Sequence, residues 1–265
     1  MSNSLSQLHA QPLGLPIGCQ TYPVRALIEQ DFPGTMKTLG NAGFQRVELC
    51  SPVGYADSGF ASLAKYKGPE VRRILEDAGL ECESAHFSME ELRTNLGAAI
   101  AWAKDVGLTQ MLAPSLEGPK QPTMDDVKKA ADEYNKIAEQ TDKAGIQQGL
   151  HNEGFELSSV DGQRTYDLLL ELLDPELVKW QFQCSAINMG FDPVAYFNKY
   201  PGRFVSMHVQ DWSAAQHKMV PVGQGDYDWK KIFAAGKVGG LKDYFVEMNL
   251  DTMTASVPYL KQLTV

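Results

Sequence analysis

Several features that would assign a protein to a familiar class are missing from this chain of 265 residues. No apolar run approaches the roughly 18 residues that a membrane-spanning helix needs. The N-terminal residues also lack the charged, apolar and small-residue order of a signal peptide. We therefore expect a soluble, cytoplasmic protein, although export followed by signal cleavage stays open.

Basic residues are scarce as well. The chain has 24 Lys and Arg against 33 Asp and Glu, which gives a net charge of −9. A field of this sign repels phosphate backbones and anionic lipid surfaces. We therefore expect neither nucleic acid nor a membrane as a partner.

Cysteine spacing excludes the common metal and disulfide frameworks. The four cysteines, Cys19, Cys50, Cys82 and Cys184, form no CxxC pair and no zinc-finger spacing. Each lies in or beside an apolar, strand-like segment, where a free thiol behaves as a small hydrophobic group. Buried free thiols in a reducing compartment are the preferred interpretation over disulfides.

A recurring junction is present instead, in which a helical pattern ends at a glycine and an apolar strand follows. Glycine just after a helix caps it by adopting the left-handed conformation, so each junction indicates a helix leading into a strand. One gap, from Gly145 to Gly202, is about twice as long as a βα unit, and Asp174-Pro175 supplies a second helix stop inside it. The glycines are Gly43, Gly79, Gly107, Gly145, Gly202 and Gly240.

Strands that alternate with helices predict parallel pairing, because each return to the sheet needs a crossover. Eight such units over about 250 residues predict an α/β fold, a (β/α)8 TIM barrel in a single domain at residues 15–265 after a loose lead at 1–14. The alternative, an open doubly wound sheet, lacks a GxGxxG fingerprint after its first strand. The predicted strands are Ile17 to Thr21, Arg46 to Cys50, Glu83 to Phe87, Gln110 to Pro114, Gln147 to Asn152, Val178 to Gln183, Phe204 to Val209 and Tyr244 to Asn249. Predicted helices include Glu70 to Ala78, Met89 to Val106, and Met124 to Ala144 with Thr123 as its N-cap.

Polar side chains collect at the C-terminal ends of these strands, where TIM barrels carry their chemistry. Glu156, His208 and Glu247 follow three different strands, and a mixed set of carboxylates and imidazole suits a divalent metal such as Mn, Mg, Co or Zn. Each also has a structural interpretation, since a buried histidine often bonds a carbonyl and a strand-end glutamate often faces solvent. Further polar residues at these ends are Gln20, Glu48, His86, Ser115, His151, Asn152, Glu153, Gln181, Gln183, Gln210 and Asp211.

Several motifs, in order and spacing, resemble the sugar phosphate isomerase/epimerase family, the xylose isomerase-like TIM barrels. The resemblance spans about Leu15 to the C-terminus and is specific for the superfamily rather than for one substrate. The segments that carry it are Gly18 to Arg25, Asp31 to Thr35, Gly43 to Glu48, Ser84 to His86, His151 to Glu156, Asp192 to Val194, Lys199 to Phe204, His208 to Asp211, Val222 to Gly225, and Phe245 to Glu247.

This resemblance implies one divalent metal ion held by Glu, Asp, His and Glu from strands 5 to 8. Glu156, His208 and Glu247 match the first, third and fourth ligands, whereas Gln183 stands where the family has aspartate. A glutamine can coordinate through its carbonyl oxygen but brings no charge, so metal affinity is expected to fall unless other groups compensate. Loss of the metal is the alternative outcome.

The resemblance also implies roles around the metal. Glu156 and Glu247 would be the acid/base pair that moves a proton next to a sugar carbonyl. Glu153 stands where many relatives have histidine. Its interpretations are a replacement carboxylate near the metal, a hydrogen-bond acceptor for a sugar hydroxyl, and a loop residue, and sugar contact is preferred. The predicted substrate-binding residues are His86, His151, Asn152, Glu153, Asp211 and Trp212.

The activity expected from the resemblance is a metal-dependent carbohydrate isomerase or epimerase with an enediolate intermediate, acting on a small sugar or keto-sugar that we expect to lack phosphate. A first alternative is a lyase that eliminates the aglycone from 3-keto-glycosides, working with a partner sugar oxidoreductase. A second is a metal-free sugar-binding protein. An endonuclease of the same superfamily is disfavoured by five histidines and the charge of −9. A homo-oligomer is expected.

Overall fold

The computed structural model describes residues 11–265, and eight parallel strands in it close into a barrel. This confirms the predicted (β/α)8 architecture. Of the predicted lead, residues 1–10 lie outside the described part of the chain, while Pro12–Gly14 form a 3-10 turn. The strands are β1 (Gly18–Gln20), β2 (Arg46–Cys50), β3 (Glu81–His86), β4 (Gln110–Ala113), β5 (Gln147–His151), β6 (Val178–Gln183), β7 (Phe204–Val209) and β8 (Asp243–Val246). Their order around the barrel is β1, β8, β7, β6, β5, β4, β3, β2.

Parallel pairing sets the level at which the polar strand ends lie. Gln20 pairs with Glu48 across β1 and β2, and His151 pairs with Gln181 across β5 and β6. His208 pairs with Phe245 across β7 and β8, so Glu247 follows two residues beyond that level. These polar residues are therefore carried by the C-terminal ends of their strands, as the sequence predicted.

The helices follow the predicted pattern with one difference. The segment predicted as a single helix from Met89 to Val106 is two helices separated at Asn95, whose φ of −140° and ψ of 25° are not helical. Asparagine favours this break because its side chain competes with helical backbone bonds. The helices are α1 (Arg25–Gln30), α2 (Phe32–Ala42), α3 (Gly68–Asp77), α4 (Met89–Thr94), α5 (Leu96–Val106), α6 (Met124–Lys143), α7 (Thr165–Leu172), α8 (Pro193–Lys199), α9 (Trp229–Gly239) and α10 (Leu250–Gln262).

Local signals explain the ends of these helices. Thr123 caps α6 in a capping box, in which its side chain accepts from the Asp126 amide and the Asp126 carboxylate accepts from the Thr123 amide. All six glycines of the predicted junctions have positive φ. At Gly240 a Cβ atom would lie 2.9 Å from the Gly202 Cα atom, so the close approach requires glycine in addition to the φ of 98°.

Contacts group the chain into two compact units, each with its own packing. The first unit contains β1, β7 and β8 and packs Phe197 against Phe182 and Phe204, with ring centroids 5.6 and 4.8 Å away. The second contains β3, β4 and β5 and packs Tyr166 against Trp180 at 4.5 Å. Such edge-on aromatic pairs add specificity to apolar burial.

Two further predictions concerned the cysteines and membrane-spanning segments. All four cysteines are free, with Cys19, Cys50 and Cys184 buried and Cys82 partly exposed. Between residues 11 and 265, no helix combines the length and the apolar character needed to cross a bilayer.

Candidate active site

His208, near the C-terminal end of β7, lies between two carboxylates. Its Nδ1 atom is 3.2 Å from Glu247 Oε2, and its Nε2 atom is 2.5 Å from Glu48 Oε2. The side chains of His208 and Glu48 are fully buried, whereas 14% of the Glu247 side chain is exposed. Glu247 is therefore the member of this trio that a molecule from solvent can reach.

The two carboxylates control the charge of His208. Burial favours the neutral imidazole and lowers the pKa of His208, but the charges of Glu247 and Glu48, with the hydrogen bonds to both, outweigh burial and raise the pKa to about 10. Buried negative charge needs a positive partner. Here a proton on His208 supplies that positive charge. A divalent cation bound by the same nitrogen and carboxylate oxygen atoms can supply it instead.

Glu247 gathers two side-chain amides in addition to His208. Gln183 Nε2 and Gln210 Nε2 each donate to Glu247 Oε2 at 2.7 Å. Three of the four predicted metal ligands, Gln183, His208 and Glu247, are thus brought together. The nitrogen and carboxylate donors among them are those that divalent cations of the Mn and Zn type accept.

The histidines of β3 and β5 form a second polar group. His86 Nε2 lies 2.7 Å from Gln181 Oε1, and the rings of His86 and His151 have centroids 5.3 Å apart. Asn152 follows His151 in the chain, and both residues are fully buried. The predicted substrate-binding roles of these three residues remain predictions, because burial and hydrogen bonds fit structural roles as well.

Three buried histidines, His86, His151 and His208, carry potential metal ligands. Imidazole nitrogens are ligands for zinc and for other divalent transition metals. The histidine triad could therefore bind a metal ion.

Glu153 lies at the surface beside His151. Its Oε1 atom is 3.9 Å from His151 Nε2, which is too long for a hydrogen bond, and 52% of its side chain is exposed. Glu153 lines a cleft of about 630 Å³ together with Ser115, Lys120 and Phe155. A sugar hydroxyl in this cleft could donate a hydrogen bond to Glu153. The cleft has room for a ligand, and the sugar contact remains a prediction.

Glu156, the first of the predicted metal ligands, remains a prediction in that role. It is fully buried in a 3-10 turn after β5, and its Oε1 atom accepts a hydrogen bond from the Leu116 amide at 2.7 Å. Burial raises the pKa of Glu156 to about 8, although hydrogen bonds from the Leu116 amide and the Ser115 hydroxyl lower it in part. The carboxyl group is therefore largely protonated at neutral pH, and its contacts within the described residues are with the loop after β4.

Asp211 and Trp212 begin a short hairpin after β7. The buried Asp211 carboxylate accepts from the amides of Trp212, Gly223 and Gly225 and from Trp229 Nε1, at 2.8 to 3.1 Å. Sugar contact by Asp211 would require one of these bonds to open. Trp212 is partly exposed, so its predicted contact with a sugar ring needs no such change.

Glu48 was predicted among the polar residues at the strand ends but not as a member of the site. Its signal was available, because Glu48 interrupts the apolar strand Val47 to Cys50, where a charged side chain needs a partner. The partner of Glu48 could not be predicted from the sequence, because His208 lies 160 residues further along the chain. Gln20 and Gln210 were missed as contacts for the same reason.

Comparison with known proteins places the chain among related barrels. The profile of the family described as xylose isomerase-like TIM barrel matches residues 37–246, most of the chain. No curated protein sequence matches.

Solved structures share the fold at low sequence identity. A sugar phosphate isomerase/epimerase from Parabacteroides distasonis ATCC 8503 is 24% identical with a TM-score of 0.81, over 99% of this chain and 96% of that one. An L-ribulose 3-epimerase is 16% identical with a TM-score of 0.63, over 94% and 86%. The IOLI protein, solved with a bound zinc atom, is 13% identical with a TM-score of 0.66, over 94% and 95%. At these identities the likeness is one of fold.

Proposed function

Because this chain belongs to the xylose isomerase-like TIM barrel family, we propose that it is a metal-dependent carbohydrate isomerase or epimerase. The observation that carries the proposal is the contact of His208 and Gln183 with Glu247 at the strand ends. In this fold, that is the end of the barrel that holds active sites. Structural neighbours named as a sugar isomerase/epimerase and an epimerase support the reaction class.

His208 and Glu247 would hold the metal ion, with Gln183 as a neutral third donor. A divalent cation, when bound there, supplies positive charge that stabilises the negative charge developing on the sugar oxygens during enolisation. The histidine triad adds further nitrogen donors, and a neighbour with a bound zinc atom supports a metal in this fold. Glu156 remains the first of the predicted ligands, and its buried Oε2 atom, which has no hydrogen-bond partner among the described residues, would bind the metal while Oε1 keeps its bond with the Leu116 amide.

The side chains of this protein would move the proton. Glu247, partly exposed, would take a proton from the carbon next to the carbonyl, while the amides of Gln183 and Gln210 hold its Oε2 atom in place. Glu156 has the raised pKa that a proton donor at neutral pH needs, but its full burial means that the loop at Leu116 would have to open for it to act. Glu247 is therefore the first residue to test.

The substrate class is proposed from the charge of the protein. A small sugar or keto-sugar without phosphate suits a net charge of −9, because the field disfavours an anionic ligand. A homo-oligomer and an oxidoreductase partner remain predictions.

The test is elemental analysis of the purified protein and two variants prepared identically. We expect near-stoichiometric Mn, Co, Zn or Mg in the parent, less in Glu247→Gln, and the parent level in Glu139→Gln, which changes an exposed carboxylate of α6. If the parent holds no metal even after Mn is added, the enolisation proposal fails and a metal-free sugar-binding protein is the remaining interpretation.

Substrate screening follows a positive result. Keto-sugars and 3-keto-glycosides are incubated with the protein in deuterated water, and deuterium incorporation at the carbon next to the carbonyl reports proton abstraction. Recovery of an epimer or an isomer supports the proposed reaction, whereas release of an aglycone identifies elimination. Glu247→Gln is expected to lower the exchange rate by at least 100-fold, and Glu139→Gln to leave it unchanged.

A further inference from the structure

Glu48 makes a buried contact that the proposed reaction does not use. Its Oε2 atom is 2.5 Å from His208 Nε2 and accepts from Gln20 Nε2 at 2.8 Å. Glu48, His208 and Gln20 are all buried, with exposures of 0%, 0% and 1%. Burying a carboxylate lowers the stability of the folded protein unless the carboxylate has fixed partners. We therefore looked for a function of this contact.

The two nitrogens of the His208 ring lie against different carboxylates. Nε2 is held by Glu48, and Nδ1 lies toward Glu247, the residue that also contacts Gln183 and Gln210. An imidazole that binds a metal uses one nitrogen and donates the other N–H, usually to a carboxylate, which fixes both the tautomer and the orientation of the ring. Glu48 occupies the position of that acceptor.

We infer that Glu48 is a positioning residue for metal binding, which holds the Nε2 proton of His208 so that Nδ1 is presented as the ligand atom beside Glu247. This inference rests on the proposed function, because it needs a metal at His208 and Glu247. It adds a fixed negative charge behind the imidazole. That charge increases the basicity of Nδ1 and compensates in part for the neutral Gln183.

The first strand keeps Glu48 in place. Gln20 is the register partner of Glu48, and its Oε1 atom accepts from the Tyr22 amide at 2.8 Å, which orients the amide that donates to Glu48. The main-chain carbonyl of Glu48 accepts from both the amide and the hydroxyl of Thr21, at 3.0 and 2.9 Å. Glu48 therefore has little freedom to leave His208.

Binding of Mn²⁺, Co²⁺ and Zn²⁺ to chelator-treated protein, measured by calorimetry, tests this role. The variants are Glu48→Gln, which keeps an acceptor oxygen but removes the charge, Gln20→Leu, which removes only the anchoring amide, and Glu139→Gln as an exposed control. We expect Glu48→Gln to weaken the affinity by about 10 to 100-fold at unchanged stoichiometry. Gln20→Leu should weaken it by a few-fold, and Glu139→Gln should not change it.

A spectroscopic measurement separates positioning from simple structural support. In the Zn²⁺-loaded parent labelled with nitrogen-15 in histidine, we expect a signal from the proton on His208 Nε2. The charged hydrogen bond to Glu48 should shift this proton signal downfield. Glu48→Gln should move this signal upfield. A purely structural carboxylate would lower stability in the variant but would leave the metal affinity of the folded protein unchanged.

Each outcome decides between the two proposals. If the parent binds none of the three metals, the proposed function fails and the role of Glu48 fails with it. If the parent binds metal and folded Glu48→Gln binds it within twofold of the parent, the role of Glu48 is wrong while the proposed function stands. If Glu48→Gln does not fold, as judged by circular dichroism, the affinity of Gln20→Leu decides in the same way.

Discussion

At the level of single residues, the buried carboxyl groups of this protein have different environments. Asp211 accepts four N–H groups, Glu48 and Glu247 flank a cationic imidazole, and Glu156 lies against one amide and a hydroxyl. The number of donors decides whether a buried carboxyl group stays charged. Their mutational effects should differ accordingly.

Glu156→Gln should change how stability depends on pH. The folded-state pKa of Glu156 is about 8, above the ordinary value of 4.5, so between these values the folded protein keeps a proton that the unfolded chain has released. The free energy of unfolding of the parent therefore falls as pH rises through this window. Between pH 6 and 8.5 the parent should lose about 2–3 kcal/mol relative to Glu156→Gln, measured by urea denaturation of chelator-treated protein.

The control for this comparison is Glu139→Gln, which changes an exposed carboxylate of α6. It should show the pH dependence of the parent. Equal slopes for the parent and Glu156→Gln would contradict a protonated Glu156. Glu156→Gln also tests the predicted ligand role, since it should weaken metal binding only if the Glu156 carboxylate binds the metal.

Asp211→Asn should destabilise the loop that follows β7. The Asp211 carboxylate joins the hairpin to Gly223, Gly225 and the Trp229 indole, and the amide of asparagine cannot accept at one of its two positions. Because charge-assisted bonds to buried groups are lost, we expect the free energy of unfolding to fall by about 2–4 kcal/mol. Asp132→Asn, at an exposed site on α6, should remain within about 0.5 kcal/mol of the parent in the same urea titration.

At the scale of elements, sequence patterns predicted the strands closely because those signals are local. The eight predicted strands match the observed ones to within about three residues at their ends, and the Thr123 cap begins α6 as expected. The division at Asn95 was missed because apolar periodicity continues through Leu92, Leu96 and Ala99, and periodicity alone does not reveal a single non-helical residue.

Two glycine substitutions should have opposite signs. Gly240→Ala places a Cβ atom 2.9 Å from the Gly202 Cα atom at a φ of 98°, so we expect a loss of about 2–4 kcal/mol. Gly97→Ala lies near the start of α5 with open space around it, and there the lower backbone entropy of alanine should add about 0.5–1 kcal/mol. Chemical denaturation of both variants checks this, and a gain in stability for Gly240→Ala would contradict the capping role.

At the scale of the whole molecule, the barrel concentrates polar side chains at the C-terminal ends of its strands while apolar residues fill the rest of the core. Buried polar clusters cost stability, and proteins retain them where function needs them. A bound cation should return part of that stability, since it binds the folded state and neutralises Glu247.

Metal removal should therefore lower the melting temperature. At a metal concentration of about 100 times the dissociation constant, binding stabilises the folded state by about 2.7 kcal/mol, which corresponds to a rise of about 5–10 °C for a chain of this size. The measurement is a thermal melt of chelator-treated protein with and without Mn²⁺ or Zn²⁺. The rise should be reduced in Glu247→Gln, and an equal rise in that variant would place the metal elsewhere.

Patterns in the sequence were enough to predict the barrel, its strands and the strand ends that carry His208, Gln183 and Glu247, because glycine caps, apolar runs and capping residues act within a few positions along the chain. The contacts between polar groups became known from the folded structure alone. Glu48 contacts His208, which lies 160 positions away in the sequence, and Glu156 contacts Leu116, which lies 40 positions away. In the sequence, both glutamates look alike as strand-end carboxylates. The physical reason is that hydrogen-bond partners of buried charges are chosen by strand register and loop closure, which join residues that share no local signal.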